Sequence, residues 1–221
     1  METLRDRFVS RLFDQAPTAL LDIGAGDGTL VRLARDRGVF AVGLEVDAPK
    51  VAGEDPPPAW VVASADALPF GSASIEWVSL RHVPHHLPNL GQALREAWRV
   101  AARGLVIAEP WFDESRADQR FGLRADRWLK RQDRRSGRFH ADVISADELL
   151  AHLPGSPQGR VETYRPERLW SAEDLEREAR EATDGLPPDP DDERELATLC
   201  EVAGRGRMTE NGTLILIVEK G

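Results

Sequence analysis

Residues 20–30 read Leu-Leu-Asp-Ile-Gly-Ala-Gly-Asp-Gly-Thr-Leu. An apolar run leads to Asp22, three alternating glycines follow, and a helical apolar pattern begins at Thr29. This order predicts a strand, a tight turn and the start of a helix. Glycine accepts positive φ and lets another molecule approach the backbone, while the first turn of a helix offers unpaired N–H groups. The segment therefore predicts a site for a ligand with a polar or negative end.

The spacing of the glycines argues against one class of ligand, the dinucleotides. Counted from Gly24, the dinucleotide fingerprint Gly-x-Gly-x-x-Gly would need a glycine where Thr29 stands, so that pattern fails. The segment instead reads Asp-x-Gly-x-Gly-x-Gly, with the acid two residues before the first glycine. A turn with a purely structural role is the alternative interpretation at this point.

Length, charge and cysteine content limit the possible classes of protein. A chain of 221 residues fits one α/β domain, and a formal net charge of −9 argues against a protein that binds nucleic acid over its whole surface. Cys200 is the only cysteine, so neither a disulfide framework nor a cysteine-based metal cluster is expected. The charged start of the sequence and the lack of a long apolar run predict a cytoplasmic protein without signal peptide or membrane span.

The second predicted strand, residues 40–46, carries a further candidate ligand. It ends near Glu45, about twenty residues after the glycine turn, where an acid can accept hydrogen bonds from both hydroxyls of a ribose. Glu45 is therefore the predicted ribose ligand, with Asp47 as the neighbouring candidate and a solvated acid as the alternative interpretation. Between residues 47 and 60 the prolines leave room for one turn of helix at most.

Further segments follow in an order that resembles the class I S-adenosylmethionine (SAM)-dependent methyltransferases. Asp22–Gly28 is similar to motif I of that family, and the resemblance covers roughly residues 12–109. The other matching segments are Ser-Ala-Asp-Ala-Leu-Pro-Phe at 64–70, Arg-His-Val-Pro-His-His-Leu-Pro-Asn at 81–89, and Glu96 with Arg99-Val100. The chain looks most like the ubiquinone/menaquinone-biosynthesis group (methyltransferase type 11), whose members act on small molecules.

The resemblance implies a fold and a domain organisation. The expected fold class is α/β, a Rossmann-like, mostly parallel sheet of seven strands with helices on both faces. The last strand, residues 212–220, would be antiparallel and lie between strands five and six. A single methyltransferase domain would span residues 1–221, with a core of 12–109 and 141–221 and substrate-side helical insertions at about 110–140 and 170–206.

The resemblance also implies that SAM is the cofactor. In the family, the acid of the Asp-Ala-x-x-Leu-Pro-Phe segment meets the adenine amino group, so this role is carried onto Asp66, with Ala67 contacting the ring. The complete predicted cofactor-binding set is Asp22, Gly24, Ala25, Gly26, Glu45, Val46, Asp66, Ala67 and Arg81.

Three histidines are the candidates for catalysis. Methyl transfer needs a general base only if the acceptor is protonated at the attacking atom, and histidine suits that role because its pKa lies near neutrality. His85 and His86 lie in the loop after the fourth strand, at the edge of the sheet where such folds bind ligands. His140 could contribute from the first insertion. A structural role for each histidine is the alternative, and no metal site is predicted.

Arginines recur every three or four residues between 116 and 138, which on a helix forms one basic stripe. A solvated helix face is one interpretation. The other is that Arg127 and Arg131 bind an anionic group of the methyl acceptor, either a carboxylate or a phosphate.

The predicted function is SAM-dependent methyl transfer to a small molecule, with an anionic acceptor as one possibility. An RNA methyltransferase and a non-catalytic SAM-binding subunit are the alternatives. Nucleic acid is the less favoured partner, because the chain lacks an Asn-Pro-Pro-Tyr motif and an arginine- and lysine-rich appended domain. We expect no membrane association and either a monomer or a homodimer.

Overall fold

The protein is built on one seven-stranded sheet, described here from a computed structural model. The structure describes residues 3–47, 59–166 and 168–221, so the prediction for the proline-rich segment 47–60 lies almost wholly outside the described residues. The strand order is β3-β2-β1-β4-β5-β7-β6. The strands are β1 (Ala19–Ile23), β2 (Phe40–Glu45), β3 (Ala59–Val62), β4 (Ile75–Arg81), β5 (Ala101–Trp111), β6 (Gly159–Tyr164) and β7 (Gly212–Glu219).

The strand β1 lies at the centre of the parallel part of the sheet. It pairs in parallel with β2 on one side and with β4 on the other, and its residues 20–23 are buried. A strand that is buried on both faces is expected to consist of consecutive apolar residues. Asp22 is the exception in β1, and it lies near the carboxyl end of the strand. Together with an antiparallel β7 between β5 and β6, this arrangement confirms the predicted fold class.

Seven α-helices and one short 3₁₀ turn are found in the described residues. No helix in this part of the chain is both long and apolar enough to cross a membrane. The helices are α1 (Leu4–Phe13), α2 (Thr29–Asp36), α3 (Leu90–Val100), α4 (Ala117–Arg135), α5 (Ala146–Ala151), α6 (Ala172–Thr183) and α7 (Pro190–Gly204), with the 3₁₀ turn at Pro84–His86.

The chain divides into two compact units. The first comprises Met1–Glu109, Ile144–Glu162 and Leu214–Gly221, and the second comprises Pro110–Val143 and Thr163–Thr213. The second unit has its own apolar cluster, in which buried residues of α4, α6 and α7 pack together, among them Trp128, Leu175 and Leu199. The predicted organisation as one methyltransferase domain stays a prediction.

Two elements extend beyond what their local sequence patterns indicate. The apolar run 105–108 is the middle of a longer strand, because β5 begins at Ala101 and ends at Trp111, so Glu109 lies within it. The segment 184–192 is rich in proline and aspartate, as linkers are, but its last three residues are helical. The helix α7 begins at Pro190, since Asp189 caps it by accepting hydrogen bonds from the N–H groups of Asp191 and Asp192 at 2.9 and 3.3 Å.

Candidate functional site

The glycine turn after β1 adopts the backbone that its sequence requires. Gly24, Gly26 and Gly28 have φ values of +66°, +60° and +75°. The N–H of Gly24 donates to the carbonyl of Leu44 at 2.8 Å, which ties the turn to β2. A Cβ at Gly24 would clash with the side chain of Val83, whereas a Cβ at Gly26 would meet nothing within 4 Å. The second glycine therefore faces open space.

A cavity of about 390 Å³ lies beside this turn, at the carboxyl edge of the sheet. This volume is within the range of roughly 300–1,000 Å³ that small-molecule pockets occupy. Its walls are the ends of β1 and β2, the segment 63–65 after β3, and His82, Val83 and His86 of the loop after β4. The walls are thus mostly apolar, with a few polar groups.

Several predicted cofactor ligands lie at this cavity. Glu45 and Val46 line it, and Glu45 Oε1 accepts a hydrogen bond from the N–H of Gly26 at 2.5 Å. Ala65 lines it as well, whereas Asp66 and Ala67 follow directly in the chain. The carboxylate of Asp66 is held by the Ser64 hydroxyl, which donates to Oδ1 at 2.6 Å.

The remaining predicted ligands, apart from Gly26, line a second cavity of about 20 Å³. Asp22, Ala25 and Arg81 lie on it, next to Gly24. Arg5 of α1 also lines this cavity; its only signal in the sequence is a charge on an amphipathic helix. Two carboxyl groups, those of Asp22 and Asp27, and two guanidinium groups therefore share one small space, which suits a ligand carrying both a positive and a negative charge.

The register of the sheet explains the surroundings of Asp22. Asp22 and Ser79 are directly paired in the β1–β4 ladder, and the Ser79 hydroxyl donates to Asp22 Oδ1 at 2.7 Å. Asp22 is buried, and burial raises its pKa to about 7, although the Ser79 hydrogen bond and the charge of Arg81 act in the opposite direction. Asp22 thus changes charge close to neutral pH.

Replacing Asp22 with asparagine should therefore change how stability depends on pH. The folded state binds this proton more tightly than the unfolded state, whose pKa is near 3.8. The resulting stabilisation is complete below pH 3.8 and is lost as the pH rises to about 7. Asparagine keeps the acceptor for Ser79 without the buried charge. Without cofactor, we expect Asp22→Asn to melt a few degrees above the wild type at pH 8 and by a clearly smaller margin at pH 5, where only part of the stabilisation has been lost. Parallel melting curves of the two proteins across this range would contradict the assignment.

The loop after β4 contains His85 and His86 and is hydrogen-bonded to the neighbouring strand β5. His82 has a φ of +56°, which is strained for a residue with a side chain, and its N–H donates to the carbonyl of Ala108 at 2.8 Å. The 3₁₀ turn Pro84–His86 follows immediately. As a result, His86 lines the larger cavity and its ring lies 4.2 Å from that of His85, measured between centroids.

His85 forms a buried pair with Glu109. Its Nδ1 lies 2.7 Å from Glu109 Oε2, and the two residues are 5% and 0% exposed. A carboxylate in this position accepts a hydrogen bond from Nδ1–H and thereby places the lone pair of a neutral imidazole on Nε2. The sequence prediction did not include Glu109 in the site, although an acid directly after the apolar run 105–108, near the same sheet edge, was an available signal.

The other predicted side chains belong to the second unit. His140 Nδ1 lies 2.6 Å from Asp133 Oδ2. Arg131 forms ion pairs with Asp192 at 2.7 Å and with Glu195 at 2.8 Å, while Arg127 is exposed. The guanidinium of Arg131 thus links α4 to α7, and binding of an acceptor anion by these two arginines stays a prediction.

Comparison with known proteins identifies the family of the chain. The family described as "Methyltransferase domain" matches residues 21–108, which include the glycine turn and the histidine loop. The 27-O-demethylrifamycin SV methyltransferase of Amycolatopsis mediterranei is 31% identical over 191 residues, covering 78% of this chain and 68% of that enzyme. The malonyl-[acyl-carrier protein] O-methyltransferase of Pseudescherichia vulneris is 28% identical over 106 residues, covering 47% and 42%.

Solved structures share the fold at low sequence identity. A cyclopropane-fatty-acyl-phospholipid synthase-like protein from Lactobacillus casei superimposes with a TM-score of 0.69 at 15% identity, covering 98% of this chain and 92% of that one. A SAM-dependent methyltransferase from Archaeoglobus fulgidus gives 0.58 at 15% identity, covering 98% and 94%. The chain belongs to the class I SAM-dependent methyltransferases, and it is a methyltransferase enzyme.

Proposed function

We propose that this enzyme transfers the methyl group of SAM to a hydroxyl oxygen of a small molecule, with His85 as the general base. The observation that carries the proposal is the buried pair of His85 and Glu109. A carboxylate acceptor has already lost its proton at neutral pH and needs no base, whereas a hydroxyl keeps its proton until it attacks. A histidine oriented by a buried acid therefore favours a hydroxyl acceptor.

The residues at the two cavities fit SAM as the cofactor. The positive φ of Gly24 and Gly26, the open space at Gly26 and the carboxylate of Glu45 form a cradle that a backbone with side chains would fill. We assign Glu45 and Val46 to the ribose side and Asp66 and Ala67 to adenine. The amino-acid end of the cofactor would meet Asp22, Ala25 and Arg81. When bound, SAM supplies an electrophilic methyl group on a sulfonium leaving group.

The protein's own part in the reaction is to orient the acceptor and to take its proton. With Nδ1–H directed at Glu109, Nε2 of His85 is the atom that accepts the hydroxyl proton as the oxygen attacks. The Glu109 carboxylate then stabilises the imidazolium that forms. The protein also holds the attacking oxygen in line with the methyl carbon. This orientation accelerates the reaction because the two reactants no longer have to meet by diffusion.

The relatives and the charges support a small oxygen acceptor. The 27-O-demethylrifamycin SV methyltransferase is named for a demethylated oxygen of a small molecule. The basic stripe of α4 is partly neutralised within the second unit, because Arg131 and Arg135 both pair with Asp192. A net charge of −9 also opposes binding of a polyanion such as RNA.

Product analysis tests the proposal. The enzyme is incubated with methyl-labelled SAM and a metabolite extract, and the labelled product is then treated with alkali. An ether formed on a hydroxyl withstands alkali, whereas a methyl ester formed on a carboxylate releases labelled methanol. We expect alkali-stable label in a small molecule. Release as methanol, or label in the RNA fraction, would contradict the proposal.

A further inference from the structure

We propose that Gln92, Glu96 and Arg99 of α3 form a positioning clamp that fixes the segment carrying Asp66 and thereby sets the preference of the cofactor site for adenine over other purines. The inference deepens the proposed function, because it rests on the assignment of Asp66 to the adenine amino group.

The clamp holds the backbone on both sides of Pro69. Glu96 Oε2 accepts a hydrogen bond from the N–H of Leu68 at 3.0 Å. Arg99 donates from Nη2 to the carbonyl of Leu68 at 3.2 Å and from Nη1 to the carbonyl of Phe70 at 2.8 Å. The backbone polar groups of this loop are therefore satisfied by side chains of another element rather than by a strand or helix of their own.

The same face of α3 reaches Asp66 itself. Gln92, Glu96 and Arg99 are spaced at i, i+4 and i+7, which places them in one row along the helix. Gln92 Nε2 lies 3.4 Å from the carbonyl of Asp66 and donates to it. The row thus contacts alternate residues of the segment, beginning with the residue assigned to adenine.

Glu96 and Arg99 also form a salt bridge that fixes both side chains. Arg99 donates from Nε to Glu96 Oε1 at 2.7 Å and from Nη2 to Oε2 at 2.8 Å, a two-pronged pair. The hydrogen bonds from Arg99 lower the pKa of Glu96, and those to Glu96 raise the pKa of Arg99. Both groups therefore stay charged around neutral pH, and the clamp keeps one arrangement across the range in which the enzyme is assayed.

The position of Asp66 matters because its proposed hydrogen bond distinguishes adenine from hypoxanthine. A carboxylate accepts a hydrogen bond from the 6-amino group of adenine but repels the 6-carbonyl oxygen of hypoxanthine. Residues 63–65 line the cavity and Asp66 follows them directly in the chain. If this segment shifted, the hydrogen bond from the base to Asp66 would weaken before the cofactor as a whole was lost. The ratio of the affinities for the adenine and hypoxanthine compounds therefore measures whether the clamp holds Asp66 in position.

The test compares dissociation constants for S-adenosylhomocysteine and S-inosylhomocysteine by calorimetry. We expect the wild type to prefer the adenosyl compound by at least about tenfold, the size of effect that one lost charged hydrogen bond produces. Arg99→Ala should reduce this ratio several-fold, and Arg99→Lys, which keeps the charge but not the fork, should restore it only in part. Asp66→Asn gives the ratio expected when the carboxylate itself is lost.

Arg103→Ala is the matched control. Arg103 also pairs with a carboxylate, Glu76 at 3.1 Å, but lies at the start of β5, at the opposite edge of the sheet. It should leave the ratio unchanged even if it lowers the melting temperature. An Arg99→Ala protein that weakens both compounds equally, or a wild type that does not discriminate, would overturn the clamp. Failure to bind S-adenosylhomocysteine at all would instead refute the proposed cofactor site.

Discussion

His85→Asn should lower kcat for methyl transfer by about 10²–10⁴-fold, the usual contribution of a general base. Asparagine can still donate a hydrogen bond to Glu109, so the buried carboxylate keeps a partner and the fold is preserved. It has no basic nitrogen, so the hydroxyl proton has no acceptor. The measurement is the initial rate on the acceptor found by the labelled-methyl screen, with the SAM dissociation constant determined in parallel.

The adjacent histidine provides the control for this prediction. His86 lines the larger cavity, so His86→Asn should act mainly on the dissociation constant of SAM. Glu109→Gln should lower kcat with little change in SAM affinity, because a glutamine no longer fixes the proton of His85 on Nδ1. If His85→Asn kept the wild-type kcat, His85 would not be the base, and the choice of a hydroxyl acceptor would lose its support.

Gly26→Ala should weaken SAM binding by about 100-fold, equivalent to roughly 2.7 kcal/mol. A methyl group at this position fits the protein, since nothing lies within 4 Å of a built Cβ. The space that it fills is the space we assign to the cofactor. The left-handed backbone adds a folding cost of about 1–2 kcal/mol for alanine, which must be separated from the effect on binding.

Gly38→Ala separates the two effects. Gly38 has a φ of +77° and also has nothing within 4 Å, but it follows α2, whereas Gly26 lies in the glycine turn and its N–H donates to Glu45. Its alanine variant carries the same kind of backbone strain without entering the site. We expect similar losses of melting temperature in both variants and a loss of SAM affinity in Gly26→Ala alone. Equal affinities in the two variants would place the cofactor elsewhere.

The central part of the fold was predictable because its signals are local. The run into Asp22, the alternating glycines and the helical pattern after Thr29 define a strand, a turn and a helix from neighbouring residues alone. The position of Glu45 at the cavity follows from the same logic, since parallel strands end at one edge of a sheet. The sheet order and the antiparallel β7 came from the family resemblance rather than from these patterns.

The pairings that decide the chemistry were not predictable in the same way. Glu109 and His85 are 24 residues apart, and nothing in either segment signals that the two side chains meet at 2.7 Å. The arginine stripe shows a charge pattern on one helix, but its partner Asp192 lies 61 residues from Arg131 on α7. A stripe that looks available for an acceptor anion in the sequence is thus partly used inside the second unit. The left-handed backbone of His82 has no signal in its own residue type.

A crystal structure with S-adenosylhomocysteine would locate the cofactor directly. We expect the adenosine in the cavity of about 390 Å³, with both ribose hydroxyls within hydrogen-bond distance of Glu45 and the amino-acid end beside Asp22 and Arg81. Electron density for the ligand outside this cavity, with the glycine turn covered by protein side chains, would contradict this expectation.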